Sequence, residues 1–494
     1  MLHMELQTEQ ALPDGIWDVL IEGGEVIDGS KRPRFRADVG VVGDRIVALG
    51  DLQGQPARLR IDARGKIVAP GFIDAHTHDD HAVLCQPDMV FKVSQGVTTV
   101  VTGNCGISLA PMRAGQSLPA PLNLLGDGSL SFPTFRGYVD ALKAQPAAVN
   151  VVPMVGHANL RVLSMDDLGH SATAPEVQSM QALLEEALDA GAVGMSTGTY
   201  YPPSAAASTD EVIGVSRPLG ARQALYVTHM RNEAEGCMAS IEETFAIGEA
   251  VDTPVLISHH KLMREPNFGQ STATLARIAE QMQCQCVALD CYPYNASSTM
   301  LHLDEARLQG KVVIASSGSH PEMRGKELGD IAALWGVSRA EASARLQPAS
   351  AIYFSMDEAD VQRILAFEPT MIGSDGIPTG EQPHPRLWGT FPRVLGHYSR
   401  DVGLFPLETA VWKMTGLTAG VFGLAHRGQV APGCFADLTV FDPVTVRDRA
   451  SYDQPKQAAE GIDWVLVNGQ PVYQAQACTG ARPGRVLART VEAA

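Results

Sequence analysis

The chain has 494 residues, 45% of them hydrophobic, which is enough for one large core and a smaller satellite domain. Its formal net charge of -17 and pI near 5.3 repel nucleic acid and acidic membranes, and no Lys/Arg cluster breaks that field. No stretch approaches the ~18 consecutive apolar residues of a membrane helix, and the opening MLHMELQTEQALPDGIWD has no basic start followed by an apolar run, so a cytoplasmic location is expected.

The first 65 or so residues read as short strands (DVLIEGGEVID, ADVGVVGDRIVALG, ARLRIDARGKIVA), rich in β-branched residues and separated by Gly or Asp turns. The C-terminal segments GQVAPGCFADLTVFD and DWVLVNGQPVYQ have the same texture. A discontinuous β-sandwich built from residues 1–66 and 428–494 is therefore expected around a middle domain of 67–427. That middle alternates strands and helices. Eight strand candidates follow in order: IVAPGFIDAHTH, GVTTVVTGNC, NVVPMVGH, AVGMSTG, ALYVTH, TPVLISHH, CVALDCYPY and TMIGSD. Helical stretches such as APEVQSMQALLEEALDAG and CMASIEETFAIGEAV lie between them. Repeated β-then-α units predict an α/β fold, a (β/α)8 TIM-like barrel. The connection from Asn295 to Pro369 is too long for a βα loop. Its helical segments PEMRGKELGDIAALWG and RAEASARLQ predict an inserted α-rich subdomain after strand 7, about 295–369, serving as a lid or pocket wall.

Several strand candidates end in a residue that binds metal or moves a proton: His76 and His78, Cys105, His229, His259 or His260, Asp375 and, less clearly, His157. In a barrel, strand C-termini share one rim, where such side chains converge. His76 and His78 are two apart, the spacing that puts neighbours on one strand face. His259 and His260 fall on opposite faces, and the sequence pattern does not choose between them. Asp79 and Asp80 read either as partners behind the histidines or as solvated loop charges. Without an export signal, the eight cysteines are expected as free thiols. CQCVALDC lacks the CxxC spacing of a zinc site and reads as small residues on and before a strand.

This order of ligands resembles the amidohydrolase superfamily. Its common two-metal sites take a bridging Lys or Glu from strand four. Here that strand is AVGMSTG, so Cys105 becomes the candidate bridge, a thiolate being a strong zinc ligand. VAPGFIDAHTHDD, SQGVTTVVTGNCGISLAP, THMRNE, SHHK, YPYNASSTM, IGSDG and HPRLWGTFPRVLGHYSR resemble the N-acyl-D-amino-acid deacylases, a likeness running from about residue 18 to about 485. The resemblance implies zinc held tightly by Cys105, His229 and His259. It implies a second, weaker site at His76, His78 and the shared Cys105, with Asp375 alongside as general base and acid. It thereby selects His259.

It also implies a small-molecule N-acyl-D-amino acid substrate, with no nucleic-acid or membrane partner, and leaves the oligomeric state open. Lys261, Tyr292, Ser298 and Arg386 are then the groups for the substrate carboxylate. Tyr200 and Met356 supply apolar walls. Arg307, in the insertion, occupies a place where an acidic substrate side chain could pair with it, so an N-acyl-D-aspartate or N-acyl-D-glutamate deacylase is the alternative. A cyclic-amide hydrolase would carry the carboxylated Lys bridge that this chain lacks, and a metal-free scaffold would not need intact ligands.

Overall fold

The computed structural model describes residues 15–115, 118–125 and 130–490. Most of the segment read for an export signal falls in 1–14, and the expected C-terminal segment ends in 491–494. Both lie outside the described residues.

Eight parallel strands form a closed ring: β1 (Phe72–Asp74), β2 (Val97–Thr102), β3 (Asn150–Pro153, continued by Val155–Gly156), β4 (Gly194–Gly198), β5 (Leu225–His229), β6 (Val255–Ile257), β7 (Val287–Cys291) and β8 (Thr370–Ile372). Each pairs with the next in parallel. β3 breaks at Met154, so its first piece pairs with β2 and its second with β4. The ring closes between the ends of β8 and β1. Ala75 N–H donates to Ile372 O at 3.2 Å, Asp375 N–H donates to His76 O at 2.7 Å, and Thr77 bridges Gly376 in parallel. Ile73, Val101, Leu225, Val227, Leu256 and Met371 fill the interior, and Phe422 closes its lower end. The connecting helices form for local reasons. Ala174–Ala190 begins with a Thr173–Glu176 capping box and stops at Gly191, whose φ of 110° admits the left-handed turn.

Strands from both ends of the chain form two further sheets. One contains Trp17–Glu22, Asp38–Val42, Arg45–Gly50 and Ala57–Asp62; the other includes Glu25–Val26, Ile67–Pro70, Leu438–Phe441, Ile462–Val467 and Gln470–Gln474. Val19, Ile21, Val41, Val68, Leu438 and Leu466 pack in a common core. This is a β-sandwich of aligned apolar faces.

Three details differ from the sequence reading. IVAPGFIDAHTH is two strands rather than one. Ile67–Pro70 pairs with Glu25–Val26 and Leu438–Phe441 in the terminal sheet, whereas Phe72–Asp74 pairs with β2 in the barrel. The terminal sheet therefore reaches Pro70, past the expected boundary at 66. At the other end, residues 483–490 run beside the barrel. Val486 bridges Val151, and Leu487 N–H donates to Val151 O at 2.8 Å. The insertion after β7 is not simply α-rich. Ala349–Phe354 lies between Ser297–Met300 and Lys311–Ser317 in an antiparallel sheet, packed with helices Leu328–Trp335 and Arg339–Leu346. KVVIASS and ASAIYF carry the β-branched signal, which the neighbouring helical patterns obscured.

Gly71 makes the step between the two strands of the split run. A Cβ there would fall 2.1 Å from Thr98 Cγ2 and 2.7 Å from Thr98 Cβ. Gly71→Ala is expected to lower stability by about 1–3 kcal/mol through overpacking. An unchanged urea midpoint would contradict so close an approach.

Candidate metal centre

β2, β5 and β8 deliver side chains to the rim in a two-residue rhythm. Inward-packed Val101 is followed by Gly103 and Cys105, Val227 by His229, and Met371 by Gly373 and Asp375. Gly373 allows the rim to close, because a Cβ there would lie 2.5 Å from His76 Cβ and 2.8 Å from Asp290 Oδ1. His76 and His78 lie just beyond β1 rather than on it, yet both face the same carboxylate. His78 Nε2 is 3.1 Å and His76 Nε2 3.6 Å from Asp375 Oδ1. His76 Nε2 is also 3.2 Å from Cys105 Sγ, and His259 Nε2 is 3.4 Å from the same sulfur.

The six side chains form two overlapping groups, His76–His78–Cys105–Asp375 and Cys105–His229–His259, with Cys105 in both. All are buried. Cys105, His259 and Asp375 have φ of 55°, 34° and 50°, a left-handed backbone that costs such residues roughly 1 kcal/mol or more each. His260 turns away, its Nε2 2.9 Å from Thr274 Oγ1. His157 opens the helix His157–Ser164, with its Nε2 3.4 Å from Glu211 Oε1, and joins neither group. Cys284, Cys286 and Cys291 are also outside both groups.

The donor set suits a soft-to-borderline cation: one thiolate, four imidazoles and one carboxylate. Neither ring nitrogen of His229 makes a hydrogen bond, although the residue is only 5% exposed; Glu233 Oε2 stands 3.5 Å from its Nε2. Burial alone would push the Cys105 thiol up, but His76 and His259 hold it well below its usual range. Burial likewise disfavours a charged His78, yet Asp375 and Cys105 raise it to about 9. The anionic Cys105 and Asp375 thus attract positive charge, which protons or a metal ion can supply. A metal would take the place of those protons.

Two carboxylates missing from the sequence reading stand behind the histidines. Glu233 Oε1 is 3.0 Å from His259 Nδ1, while its Oε2 faces His229. Asp290 Oδ2 lies 3.5 Å from His76 Nδ1, and its Oδ1 accepts from His259 N–H at 3.0 Å. Such partners orient metal-binding imidazoles. Burial would raise the Glu233 carboxyl, but Lys261, His229 and His259 hold it far below the usual range. The only sequence signals were Glu233 closing THMRNE and Asp290 sitting near the end of β7. Asp79 and Asp80 are not solvated. Asp79 is 3.3 Å from buried Lys92, and Asp80 accepts from Gly103 N–H at 3.2 Å.

A cleft of about 830 Å3, counted to its open mouth, rises from the rim beneath the insertion. Tyr200, His229, Lys261, Ser298, Arg307 and Asp375 line it. Lys261 Nζ lies 2.6 Å from Glu233 Oε1 and 2.7 Å from His259 Nδ1, so it is tied to the metal-ligand candidates as well as facing the cleft. Arg307 lays its guanidinium 4.3 Å from the Tyr200 ring centre. Tyr292, Met356 and Arg386 are almost fully buried and are not among the lining residues. Tyr292 OH is 3.6 Å from Met356 Sδ, and Arg386 Nη1 is 2.8 Å from Asp375 Oδ2. Burial opposes ionisation of Asp375, but Arg386 and His259 keep its carboxyl well below the usual range.

Among the described residues, no helix is long and apolar enough to cross a membrane. The Amidohydrolase family model matches residues 60–473. A D-aminoacylase of Alcaligenes xylosoxydans xylosoxydans is 59% identical over 475 residues, covering 96% of this chain and 98% of that one. An N-acyl-D-aspartate deacylase of the same organism is 51% identical over 95% of each chain. A crystal structure of a D-aminoacylase superposes with a TM-score of 0.94 at 59% identity, covering 96% of this chain and all of that one. The N-acyl-D-glutamate deacylase of Bordetella bronchiseptica, solved with zinc and a phosphonate mimic of the tetrahedral intermediate, gives 0.92 at 49% identity, covering 95% and 99%. With a family model matching most of its length and a relative this close along nearly all of it, the chain belongs to the Amidohydrolase family.

Proposed function

We propose that this protein is a zinc-dependent N-acyl-D-amino-acid deacylase, releasing a carboxylate and a free D-amino acid. The observation that carries this is the pair of ligand groups joined at Cys105 with Asp375 beside them. Likeness to the D-aminoacylase over nearly the whole chain supports the substrate class. Cys105, His229 and His259 would hold the tighter zinc, and His76, His78 and Cys105, with Asp375, a weaker second ion. Bound zinc supplies a Lewis acid for the amide carbonyl and lowers the pKa of water toward ~7.

The chain's own residues do the rest. Asp375 takes the proton from the attacking water and delivers it to the leaving nitrogen. Arg386 keeps that carboxylate ionised and aimed, and Glu233 and Asp290 fix the imidazole orientations. Lys261 and Ser298, which line the cleft, supply cationic and hydrogen-bonding character for the substrate carboxylate, with the buried Arg386 and Tyr292 supporting them from behind. Tyr200, which lines the cleft, and the buried Met356, beside the lining residue Met263, shape the side-chain pocket. The two segments 15–70 and 428–490 act as a scaffold domain, the insertion covers the barrel mouth, and the enzyme works in the cytoplasm on a small-molecule substrate. A second reading, preference for D-aspartate or D-glutamate derivatives, is favoured by Arg307, whose charge faces the cleft.

Purified enzyme is expected to hydrolyse N-acetyl-D-methionine and to leave its L enantiomer intact; hydrolysis of the L form alone rejects the proposal. A chelator should abolish turnover and added zinc restore it. In Cys105→Ala, elemental analysis should show loss of the tight zinc, with activity down at least about 100-fold, the upper range for losing even an indirect partner of a ligand. Full zinc content in that variant would remove the basis of the mechanism. If the acidic preference holds, Arg307→Leu should cut kcat/KM for N-acetyl-D-aspartate about 3- to 10-fold, a partly exposed ion pair's worth, and spare N-acetyl-D-methionine. Equal losses on both substrates would assign Arg307 to packing.

A further inference from the structure

A second, smaller cavity adjoins the main cleft beside Asp375. Counted to its open mouth it measures about 290 Å3, against about 830 Å3 for the cleft. Tyr201, Ser298, Thr299 and Asp375 line both spaces, so these residues stand where the two meet. The Tyr201 and Thr299 hydroxyls, 3.0 Å apart, form a bar at that neck. The two sides differ in chemistry. The cleft carries Lys261, Arg231, Arg264 and Arg307. The small cavity is walled by Ile107, Pro121, Leu124 and Ile377, with His78 and Cys105 at its base, and has no Lys or Arg among its described lining residues. The loops bearing Leu124 and Ile377 are joined across it, Thr379 Oγ1 donating to Leu124 O at 3.4 Å.

An N-acyl amino acid has two unlike arms on its amide. The nitrogen arm bears an anionic α-carboxylate; the carbonyl arm bears an uncharged acyl chain. The scissile carbon has to lie near Asp375, so each arm enters one of the two spaces. The carboxylate is drawn to the cationic cleft. In the small cavity it would meet aliphatic walls, with no Lys or Arg among the described lining residues to offset its desolvation. We propose that the small cavity is the acyl-chain subsite and that Leu124 and Ile377 set the chain length it accepts. This rests on the deacylase reading above. The cavity gives the centre of a water-sized group only about 10 Å3 of room, the scale that seats one small group. It therefore takes short, unbranched, uncharged acyl groups such as acetyl, and disfavours long chains and acyl groups ending in a carboxylate, such as succinyl.

Leu124 and Ile377 are only half-buried, so both tolerate substitution. The test measures kcat/KM of the zinc-loaded wild type, Leu124→Ala and Ile377→Ala on N-acetyl-, N-butyryl-, N-hexanoyl- and N-succinyl-D-methionine. N-acetyl-D-alanine reports the other arm. In at least one variant, the hexanoyl-to-acetyl ratio should rise about tenfold or more, the scale of a one-methylene change in an apolar pocket. The methionine-to-alanine ratio should stay within about twofold of the wild type. Ile377→Phe should do the reverse, losing butyryl turnover before acetyl. An acyl profile unchanged in all three variants overturns the subsite, as does a shift confined to the amino-acid ratio, which would reverse the two arms. Failure of the wild type on every N-acyl-D-amino acid sinks the deacylase reading instead. Wild-type turnover with unresponsive variants sinks only the subsite.

Discussion

The seam between β1 and β8 is the constraint on which the site depends. A barrel of eight strands has to close on itself, and here closure joins segments 297 positions apart, those of His78 and Asp375. The fully buried Lys92 ammonium ties the seam together. It reaches Asp74 at 2.7 Å, Asp79 at 3.3 Å and the Ser374 hydroxyl at 2.9 Å. Asp74 in turn accepts from Ser374 N–H at 2.7 Å. Ions so deeply placed persist only as a set, because removing one partner strands the others at a cost of about 3–5 kcal/mol. The network therefore specifies one register between the strand ends, and that register puts His76, His78 and Asp375 together.

Around that seam the site is built in two layers. The inner layer is the shared sulfur and its imidazoles. The outer layer is acidic: Glu233 behind His229 and His259, and Asp290 behind His76. One carboxylate serving two imidazoles couples their orientations, so the ring planes are set jointly rather than one residue at a time. Lys261 compensates Glu233, and Arg386 compensates Asp375. These two buried carboxylates thus each have a cation, which helps make burial of so many charges tolerable. The left-handed backbone at Cys105, His259 and Asp375 belongs to the same picture. The closed barrel over-determines these turns and holds side chains where a relaxed loop would not.

In the proposed function, the insertion makes this rim selective. Its antiparallel sheet brings Ser298 and Thr299 over Asp375, and Arg307 against Tyr200, so chemistry and recognition come from separate parts of the chain. The barrel fixes what reacts. On the readings proposed above, the insertion and the loops after β2 and β8 decide what fits.

Much of this was legible in the residues. Apolar runs gave the eight strands, and the His, Cys or Asp ending several of them gave the rim side chains, since burial on both faces demands continuous apolar strands and only their ends are free to carry chemistry. The split of IVAPGFIDAHTH at Gly71 was not legible. Both halves are equally apolar, and what separates them is Thr98 pressing from the next strand. The insertion's sheet was hidden for a similar reason: Lys311–Ser317 and Ala349–Phe354 pair across 31 intervening residues, and local pattern carries no information on partners. Sequence order alone left His259 and His260 equal; only the turn at the end of β6 aims one at Cys105 and the other at Thr274. Glu233, Asp290 and Lys92 looked like ordinary charges. Their roles arise from burial and from neighbours distant in the chain, and those are properties of the folded barrel, not of any segment.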